Sequence, residues 1–182
     1  MPLRMYFTVW VNGVATDVRE KYRPWPRYFV DTRIDKLKNG SYDGIILSHA
    51  GIEALRLNDQ ISEIFSVGDL IPSAGQGIIS LQCREDDNEI LSILKKINHN
   101  ETHQRAEAER NVLKVLEGDC ETAVGVHAVV EGNRIILEAE LFSIDGTQRF
   151  YEKKSSEIEN AKELGKEVGQ ILKLKSNNSY KK

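Results

Sequence analysis

The chain has 182 residues, with 25 Lys and Arg against 28 Asp and Glu for a formal charge of -3, and 40% of its residues are hydrophobic. This mixture excludes collagen-like, low-complexity and wholly disordered proteins, because it supplies enough apolar side chains to offset chain entropy. No run approaches the about 18 apolar residues of a membrane helix, and two cysteines exclude a disulfide framework, so we expect a cytoplasmic protein with no membrane partner.

The first part of the chain predicts few regular elements. Residues 1–26 favour at most one strand, over 8–14, and contain a Pro-Trp-Pro sequence that is incompatible with helix or sheet. Beyond them, Asp31 predicts the N-terminal cap of a short helix. The turn-forming pair Asn39–Gly40 predicts where that helix ends.

The following segment has the alternation of helices and strands that is typical of α/β proteins. Residues 43–47 predict a buried strand, residues 50–57 a helix, and residues 77–83 a second strand. A further helix is predicted over 86–97, because two aspartates stand at its start, where the helix dipole favours negative charge.

From residue 98 the pattern predicts a separate α+β unit with a three-stranded antiparallel sheet. The apolar residues repeat about every 3.6 residues at first, then every 2 residues, and then every 3.6 residues again. These periods are expected for a helix, a meander of strands and a final helix. The predicted helix, the three strands, the last helix and a polar tail cover residues 101–117, 123–131, 134–144, 147–152, 156–173 and 176–182.

A basic patch interrupts this acidic chain. Residues 19–38 carry seven Lys or Arg and three Asp or Glu. Within the patch, Arg27 and Arg33 suit carboxylate or phosphate ligands. Interleaved aromatic residues also favour a single-stranded nucleic-acid surface, and a solvated basic face explains the charges equally well.

Cys120 follows a predicted helix end and is flanked by acidic residues. Both features disfavour a thiolate, so Cys120 is a poor candidate for a protease-type nucleophile. Two interpretations remain, a thiol that carries a permanent covalent group and a partly buried loop cysteine. The second is favoured on chemistry alone, because most lone cysteines are small packed hydrophobes.

Gly75–Gln76–Gly77 precedes a predicted strand, whereas a dinucleotide fingerprint follows one, so nucleotide binding is not supported. A simple turn and a backbone that approaches a ligand explain these glycines equally well. His99 and His103 are four residues apart, but no third ligand accompanies them, so surface histidines are favoured and no metal site is predicted. His49 and His127 are expected to be packed.

Six motifs occur in an order that is more specific than any one of them. They are Tyr42–Ile52, Ile71–Gly77, Gln82–Arg84, Asn98–Thr102, Ala108–Arg110, and Leu116–Cys120 together with Gly125. From about residue 27 onward, the chain closely resembles the porphobilinogen deaminase (hydroxymethylbilane synthase) family.

The resemblance implies a transferase of tetrapyrrole and haem biosynthesis. Enzymes of this family condense four porphobilinogen molecules into hydroxymethylbilane and release ammonia. By resemblance, Cys120 would hold a dipyrromethane cofactor through a thioether. The other positions that match the family's cofactor and pyrrole contacts are Arg27, Arg33, Ser48, Gln76 and Gly77, of which the arginines would bind carboxylates.

Some positions depart from the family's usual sequence. Tyr28–Phe29 replaces a small Gly-Asn pair, and Ala54 stands where an arginine is usual. Asp119 and Ala123 replace a usual glycine and a usual proline. We therefore expect fewer contacts to pyrrole carboxylates than in relatives.

The resemblance also predicts a domain organisation. Residues 1–26 are unmatched, 27–70 correspond to the second half of a periplasmic-binding-protein-like domain two, 71–97 return to domain one, and 98–182 form the cofactor-carrying domain. The family's catalytic aspartate precedes the matched part, so no Asp is assigned to catalysis.

The expectation is therefore an N-terminally truncated, monomeric chain that is inactive by itself and has no nucleic-acid partner. The alternative is a non-catalytic pyrrole-binding or interaction module derived from the C-terminal domain.

Overall fold

The computed structural model describes residues 30–117 and 122–181, and of residues 5–9 the backbone. The chain divides into two compact units. One holds the described residues 30–64, and the other holds residues 65–181 together with the strand at 5–9.

Residues 30–64 contain two short helices, α1 (Asp31–Lys38) and α2 (His49–Ala54), and a 3-10 turn at Asn58–Gln60. Helix α1 ends at Asn39–Gly40 as predicted, and Gly40 takes a left-handed φ of 71°. Asp31 is not the cap. Val30 occupies that position, and Asp31 lies in the first turn, where its charge still suits the helix dipole.

The strand predicted over 43–47 is wrong, because these residues form no regular element. A strand needs a neighbour for its backbone N–H and C=O groups, and the described residues 30–64 contain no other strand. Ile46 is consequently 61% exposed. The predicted helix over 50–57 is confirmed in part, since α2 begins at His49 and ends three residues early.

The second unit begins with a two-stranded antiparallel sheet. Strand β1 (Met5–Val9) pairs with β2 (Ile79–Cys83), with Met5 opposite Cys83. The remainder of the strand predicted over 8–14 lies outside the described residues. Strand β2 confirms the prediction over 77–83 but starts two residues later, because Gly77 and Ile78 belong to a turn.

Helix α3 (Asn88–Ile97) confirms the helix predicted over 86–97. Asp87 caps it, since its carboxylate accepts the Ile90 N–H at 3.2 Å. Leu91 and Leu94 are buried on one side of the helix and pack with two partly buried residues of β2, Leu81 and Cys83.

The predicted arrangement of a helix, a three-stranded meander and a final helix is confirmed, but it is not a separate unit, since residues 65–97 belong to the same compact unit. Helix α4 (Asn100–Leu116) leads to a three-stranded antiparallel meander and a final helix. The meander has the order β3-β4-β5, and its strands and the helix are β3 (Val124–Glu131), β4 (Arg134–Phe142), β5 (Arg149–Glu157) and α5 (Ala161–Ser176).

The core lies between one face of this sheet and the two helices. Alternate residues of β3 and β4 point inward, as the period of two requires, and many of them are fully buried, whereas β5 adds the partly buried Phe150. Helix α5 places small residues against α4: a Cβ on Gly165 would lie 2.2 Å from the carbonyl oxygen of Ala108. The fully buried members are Ala108, Val112, Leu116, Val126, Ala128, Ile135, Leu137, Ala139, Leu141, Ala161, Val168 and Leu172.

Two boundaries differ from the sequence prediction. Strand β5 continues to Glu157, which pairs with Arg134, so α5 starts at Ala161 rather than 156. The charged sequence of residues 153–157 did not indicate a strand, but these residues pair with β4 and extend β5. The expected polar tail is also packed in part, since Tyr180 is only 4% exposed.

None of the helices within the described part of the chain is long and apolar enough to cross a membrane.

Candidate functional site

The Gly75–Gln76–Gly77 segment forms two consecutive turns. Gly75 and Gly77 have φ values of 79° and 77°, which side chains with a Cβ rarely adopt. Backbone bonds close the turns, from Gln76 N to Ser73 O and from Ile78 N to Gly75 O, both at 3.0 Å. Gln76 and Gly77 are exposed, and nothing lies within 4 Å of where a Cβ on either glycine would be. The turn is therefore open to a ligand along its backbone.

Glu109 of α4 holds this turn in place. One of its carboxylate oxygens accepts the Gly75 N–H at 2.7 Å, and the other accepts the Ala128 N–H at 2.9 Å. Glu109 is only 2% exposed. Burial raises the pKa of this carboxyl, while the two N–H donors and the charge of Arg105 oppose the rise. A buried acid thus fixes the turn to the helix and to strand β3.

The segment before the turn lies along the free edge of β3. Val126 N–H donates to the carbonyl oxygen of Pro72 at 2.8 Å. A Cβ on Gly125 would come within 2.6 Å of the Ile71 carbonyl oxygen, so this close approach requires glycine there. Ala74 packs against the main core, and Arg105 Nε donates to the Ala128 carbonyl at 2.7 Å.

Helix α4 connects the turn to the region of Cys120. It carries Glu109 near its middle and ends at Leu116. Glu117 then takes a left-handed conformation, with φ 54°. Cys120 is three residues further along and lies outside the described residues, as does Arg27.

Two other predicted site residues belong to the unit of residues 30–64. Arg33 is exposed in the first turn of α1. Ser48 is exposed at the N-cap of α2, where its carbonyl accepts the Gly51 and Ile52 N–H groups at 3.1 and 3.2 Å. The structure thus places Arg33 and Ser48 in one unit and Gln76 and Gly77 in the other.

The histidines divide into exposed and packed members. His99 is exposed, and its Nδ1 caps α4 by accepting the Thr102 N–H at 3.3 Å. His103 is half-buried rather than a surface residue, and its Nδ1 is buried without a hydrogen-bond partner. His127 is half-buried as expected, and burial, then the charge of Arg105, lowers its pKa. The expectation that His49 is packed is wrong, because it begins the exposed N-terminal turn of α2.

No group of three or more His, Cys, Asp or Glu side chains is arranged to hold a metal ion within residues 30–117 and 122–181. The described part of the site consists of a backbone turn, a buried carboxylate and a guanidinium bound to backbone. Such an arrangement can hold the turn in place and present its backbone to a ligand.

Glu109 was not predicted to have a role, although it lies in the Ala108–Arg110 motif. A signal was present: Glu109 lies beside Ala108 and one turn before Val112, within a stripe of buried residues on α4. Lone acids in such a stripe are expected to be paired or hydrogen-bonded. Arg105, four residues earlier, supplies a charge on the same face.

Two family models match the chain. Residues 26–92 match "Porphobilinogen deaminase, dipyromethane cofactor binding domain", and residues 103–173 match "Porphobilinogen deaminase, C-terminal domain".

Curated relatives agree with these matches. The chain is 44% identical over 143 residues to the porphobilinogen deaminase of Desulforamulus reducens, covering 79% of this chain and 46% of that protein. It is 38% identical over 151 residues to the porphobilinogen deaminase of Staphylococcus carnosus, and the match covers 82% of this chain and 48% of that protein. The porphobilinogen deaminase of a Nostoc species is 35% identical over 144 residues, and the match covers 79% of this chain and 45% of that protein. The chain spans about half the length of the curated relatives it matches.

Proposed function

This chain belongs to the porphobilinogen deaminase family, and from that premise we propose that it carries a dipyrromethane cofactor on Cys120 and serves the condensation of porphobilinogen into hydroxymethylbilane. The observation that supports this most directly is the open Gly75–Gln76–Gly77 turn, which Glu109 fixes to α4. The same helix ends four residues before Cys120.

The described residues fit such a group. The turn leaves free space beside two glycines with left-handed φ, and it presents the Gln76 side chain to solvent. Gln76 would donate its amide to the cofactor, and Gly77 would allow the backbone to approach it. When bound, the cofactor supplies two linked pyrroles held by a thioether.

A carrier role agrees with the electrostatics before Cys120. Glu117 accepts hydrogen bonds from Lys181 and Lys173, which lower the pKa of its carboxyl and keep it negative. A carboxylate three residues away does not favour a reactive thiolate. A thiol that holds one group permanently does not need to be a low-pKa nucleophile during turnover.

The exposed basic group of Arg33 would bind pyrrole carboxylates, because a guanidinium forms short, charge-assisted bonds with them. Arg27 is proposed for the same role, and Ser48 for a cofactor contact. Porphobilinogen is the proposed substrate. None of these roles needs a metal ion.

We also propose a domain organisation for the chain. Residues 27–70 would be the second half of a periplasmic-binding-protein-like domain, 71–97 a crossing segment, and 98–182 the cofactor-carrying domain. The exposed apolar side chains of residues 30–64, such as Ile46 at 61% and Ile64 at 62%, support an incomplete first part.

The test is intact-mass spectrometry of the purified chain after incubation with porphobilinogen. The proposal expects a mass addition equal to dipyrromethane, lost in Cys120→Ser and retained in Cys83→Ser. Cys83 is the matched control, because it is the other cysteine and is half-buried against α3. An unmodified wild-type chain, or an addition that survives Cys120→Ser, contradicts the proposal.

A second candidate is a non-catalytic pyrrole-binding or interaction module derived from the C-terminal domain, favoured by the closed core that α4, the meander and α5 form. Consumption of porphobilinogen by the 182-residue chain distinguishes the two. Sustained pyrrole consumption excludes the binding module. A non-covalent complex without consumption or mass addition supports it.

A further inference from the structure

Helix α3 has a wider apolar face than strand β2 covers. Ile90, Ile93 and Ile97 are three and four residues apart, so they share one side of the helix. They are 40%, 48% and 47% exposed, whereas the adjacent Leu91 and Leu94 are buried against β2. We call these three isoleucines the α3 stripe. The described part of the chain leaves this apolar stripe open to solvent.

The α3 stripe has the spacing with which two helices pack side by side. Steps of three and then four residues place successive apolar side chains along one seam, where each enters a gap of the facing helix. Single exposed hydrophobic residues are common on protein surfaces. A contiguous apolar row is instead the feature of an interaction surface, so the α3 stripe needs a partner helix.

The charges beside the α3 stripe change sign along the helix. Asp87 caps its start, and Glu89 lies in its first turn. Lys95 and Lys96 occupy its last turn. Glu89 and Lys96 are seven residues apart, so they flank the stripe on the same side, and both are exposed. They are separated by about 10 Å along the helix axis, which is too far for them to pair with each other.

A second copy of the chain complements this pattern when its α3 lies antiparallel to the first. With Ile90 of one copy against Ile93 of the other, and the reverse by two-fold symmetry, the two stripes face each other. The same register brings Glu89 beside Lys96 of the second copy, twice. Antiparallel packing also places the acidic start of each helix beside the basic end of the other, as the helix dipoles favour. A parallel pair would place like charges together.

We propose that the α3 stripe is a self-association surface, through which two copies of this chain pair by antiparallel packing of their α3 helices. The proposal departs from the monomer expected from the family resemblance, and it does not depend on the proposed function. Three partly covered isoleucines in each copy bury less than the about 1,000 Å² of a stable specific interface. The association should therefore be weak and dependent on concentration.

Sedimentation velocity of the full chain over a concentration series measures this association. The average mass of wild type should rise from the 20.6 kDa of one chain towards that of two chains and then level off. Ile93→Asp should raise the dissociation constant more than about tenfold, because it places a charge in the centre of the seam. Ile93 is half-exposed, so circular dichroism should show an unchanged fold.

Ile144→Asp is the matched control. Ile144 is 55% exposed and belongs to the same compact unit, but it lies in the loop after β4 rather than on α3. This variant introduces the same charge in place of the same residue type. It should leave the dissociation constant unchanged.

Charge reversal tests the register and the identity of the partner. Glu89→Lys alone and Lys96→Glu alone each turn two complementary pairs into like-charge pairs, so each should raise the dissociation constant at least about fivefold. The double variant restores opposite charges and should associate within about twofold of wild type. A mixture of the two single variants should associate more tightly than either alone, because each copy then carries the charge that the other lacks.

Four results would overturn the proposal. Wild type could keep the mass of one chain up to about 1 mM, or Ile93→Asp could associate as tightly as wild type. The double charge reversal could fail to regain association, which contradicts antiparallel pairing. The mass could also grow without levelling off and fall in Ile46→Asp instead, which would assign the association to the exposed apolar residues of 30–64. None of these measurements involves a cofactor, so failed cofactor loading leaves their outcome unchanged.

Discussion

Residues 30–64 and residues 98–181 differ in how completely their apolar side chains are covered. In the first region the buried hydrophobic residues are Ile34 and Ile52, each 7% exposed, while Ile46 and Ile64 are more than 60% exposed. In the second, helices α4 and α5 cover one face of a three-stranded sheet, and twelve hydrophobic side chains are fully buried. Both regions contain family motifs, but the second alone has a closed core among the described residues.

The difference shows what a short segment can stabilise by itself. Helices of eight and six residues are too short to persist in water without packing partners. The C-terminal region instead pairs three strands and packs two long helices against them. Two packed layers of this kind are the smallest arrangement that encloses a hydrophobic core. Sequence resemblance therefore indicates descent in both regions, whereas packing distinguishes the one that supports its own fold.

The largest expected effect comes from truncating one isoleucine in each region. Ile135→Ala removes a fully buried side chain of β4 and should lower the free energy of unfolding by about 4 kcal/mol. Ile46→Ala removes a side chain that is 61% exposed and should change it by less than about 0.5 kcal/mol. Urea unfolding followed by circular dichroism measures both. Equal losses would show that residues 30–64 have a core of their own.

A glycine in each region gives a finer comparison. Gly165→Ala in α5 places a Cβ 2.2 Å from the Ala108 carbonyl oxygen. Relieving this clash requires the backbone of α4 or α5 to shift, which costs packing energy. We expect a loss of about 3 kcal/mol, despite the better helix propensity of alanine.

Gly51→Ala in α2 is the control, because its Cβ would meet ordinary contacts at 3.8 and 3.9 Å. It should be neutral or stabilising by up to about 1 kcal/mol. Thermal unfolding measures both variants, and a stabilised Gly165→Ala would contradict the tight approach of α5 to α4.

The elements that the sequence predicted well are those that carry their own periodic signal. The stripe Leu164, Val168, Leu172 of α5 and the alternation along β4 depend on local spacing, and both elements formed as expected. Residues 43–47 failed for the opposite reason. Their apolar run required strands beside it, and no local pattern reports whether those neighbours are present.

The sequence pointed to the turn at residues 75–77, but not to the distant residues that hold such features in place. The glycines at 75 and 77 were identifiable by type and spacing, and their left-handed φ agrees with a required turn. The anchor Glu109 is 34 positions from Gly75, and Tyr180, whose hydroxyl donates to the Leu116 carbonyl oxygen, is 64 from Leu116. Such pairings depend on tertiary structure, so one sequence without relatives cannot reveal them.

The smallest expected effect concerns where the well-packed region begins. Glu109 binds Gly75 to α4, so the stable unit should include residues 71–75, well before residue 98. Glu109→Gln keeps the size of the side chain but turns one oxygen into an amide donor. One of the two N–H partners then loses its acceptor, and we expect a loss of about 2 kcal/mol at neutral pH.

The pH dependence of this variant tests the buried charge directly. Burial raises the folded-state pKa of Glu109 above its ordinary value of 4.5, so the folded protein binds this proton more tightly than the unfolded chain. That contribution to stability is fully present below pH 4.5 and is lost as the pH rises through the folded-state pKa. Glutamine does not titrate, so the stability of wild type relative to Glu109→Gln should fall as the pH rises.

Hydrogen exchange then locates the change. Exchange of the Gly75 amide or of the Ala128 amide, whichever loses its acceptor, should accelerate in Glu109→Gln, and both should remain slow in Glu101→Gln, an exposed acid on the same helix. If both amides exchange at the same rates in the two variants, Glu109 does not hold the turn, and the stable unit begins later in the chain. Because Gly75 adjoins Gln76 and Gly77, a released amide would also predict weaker positioning of the proposed cofactor contacts.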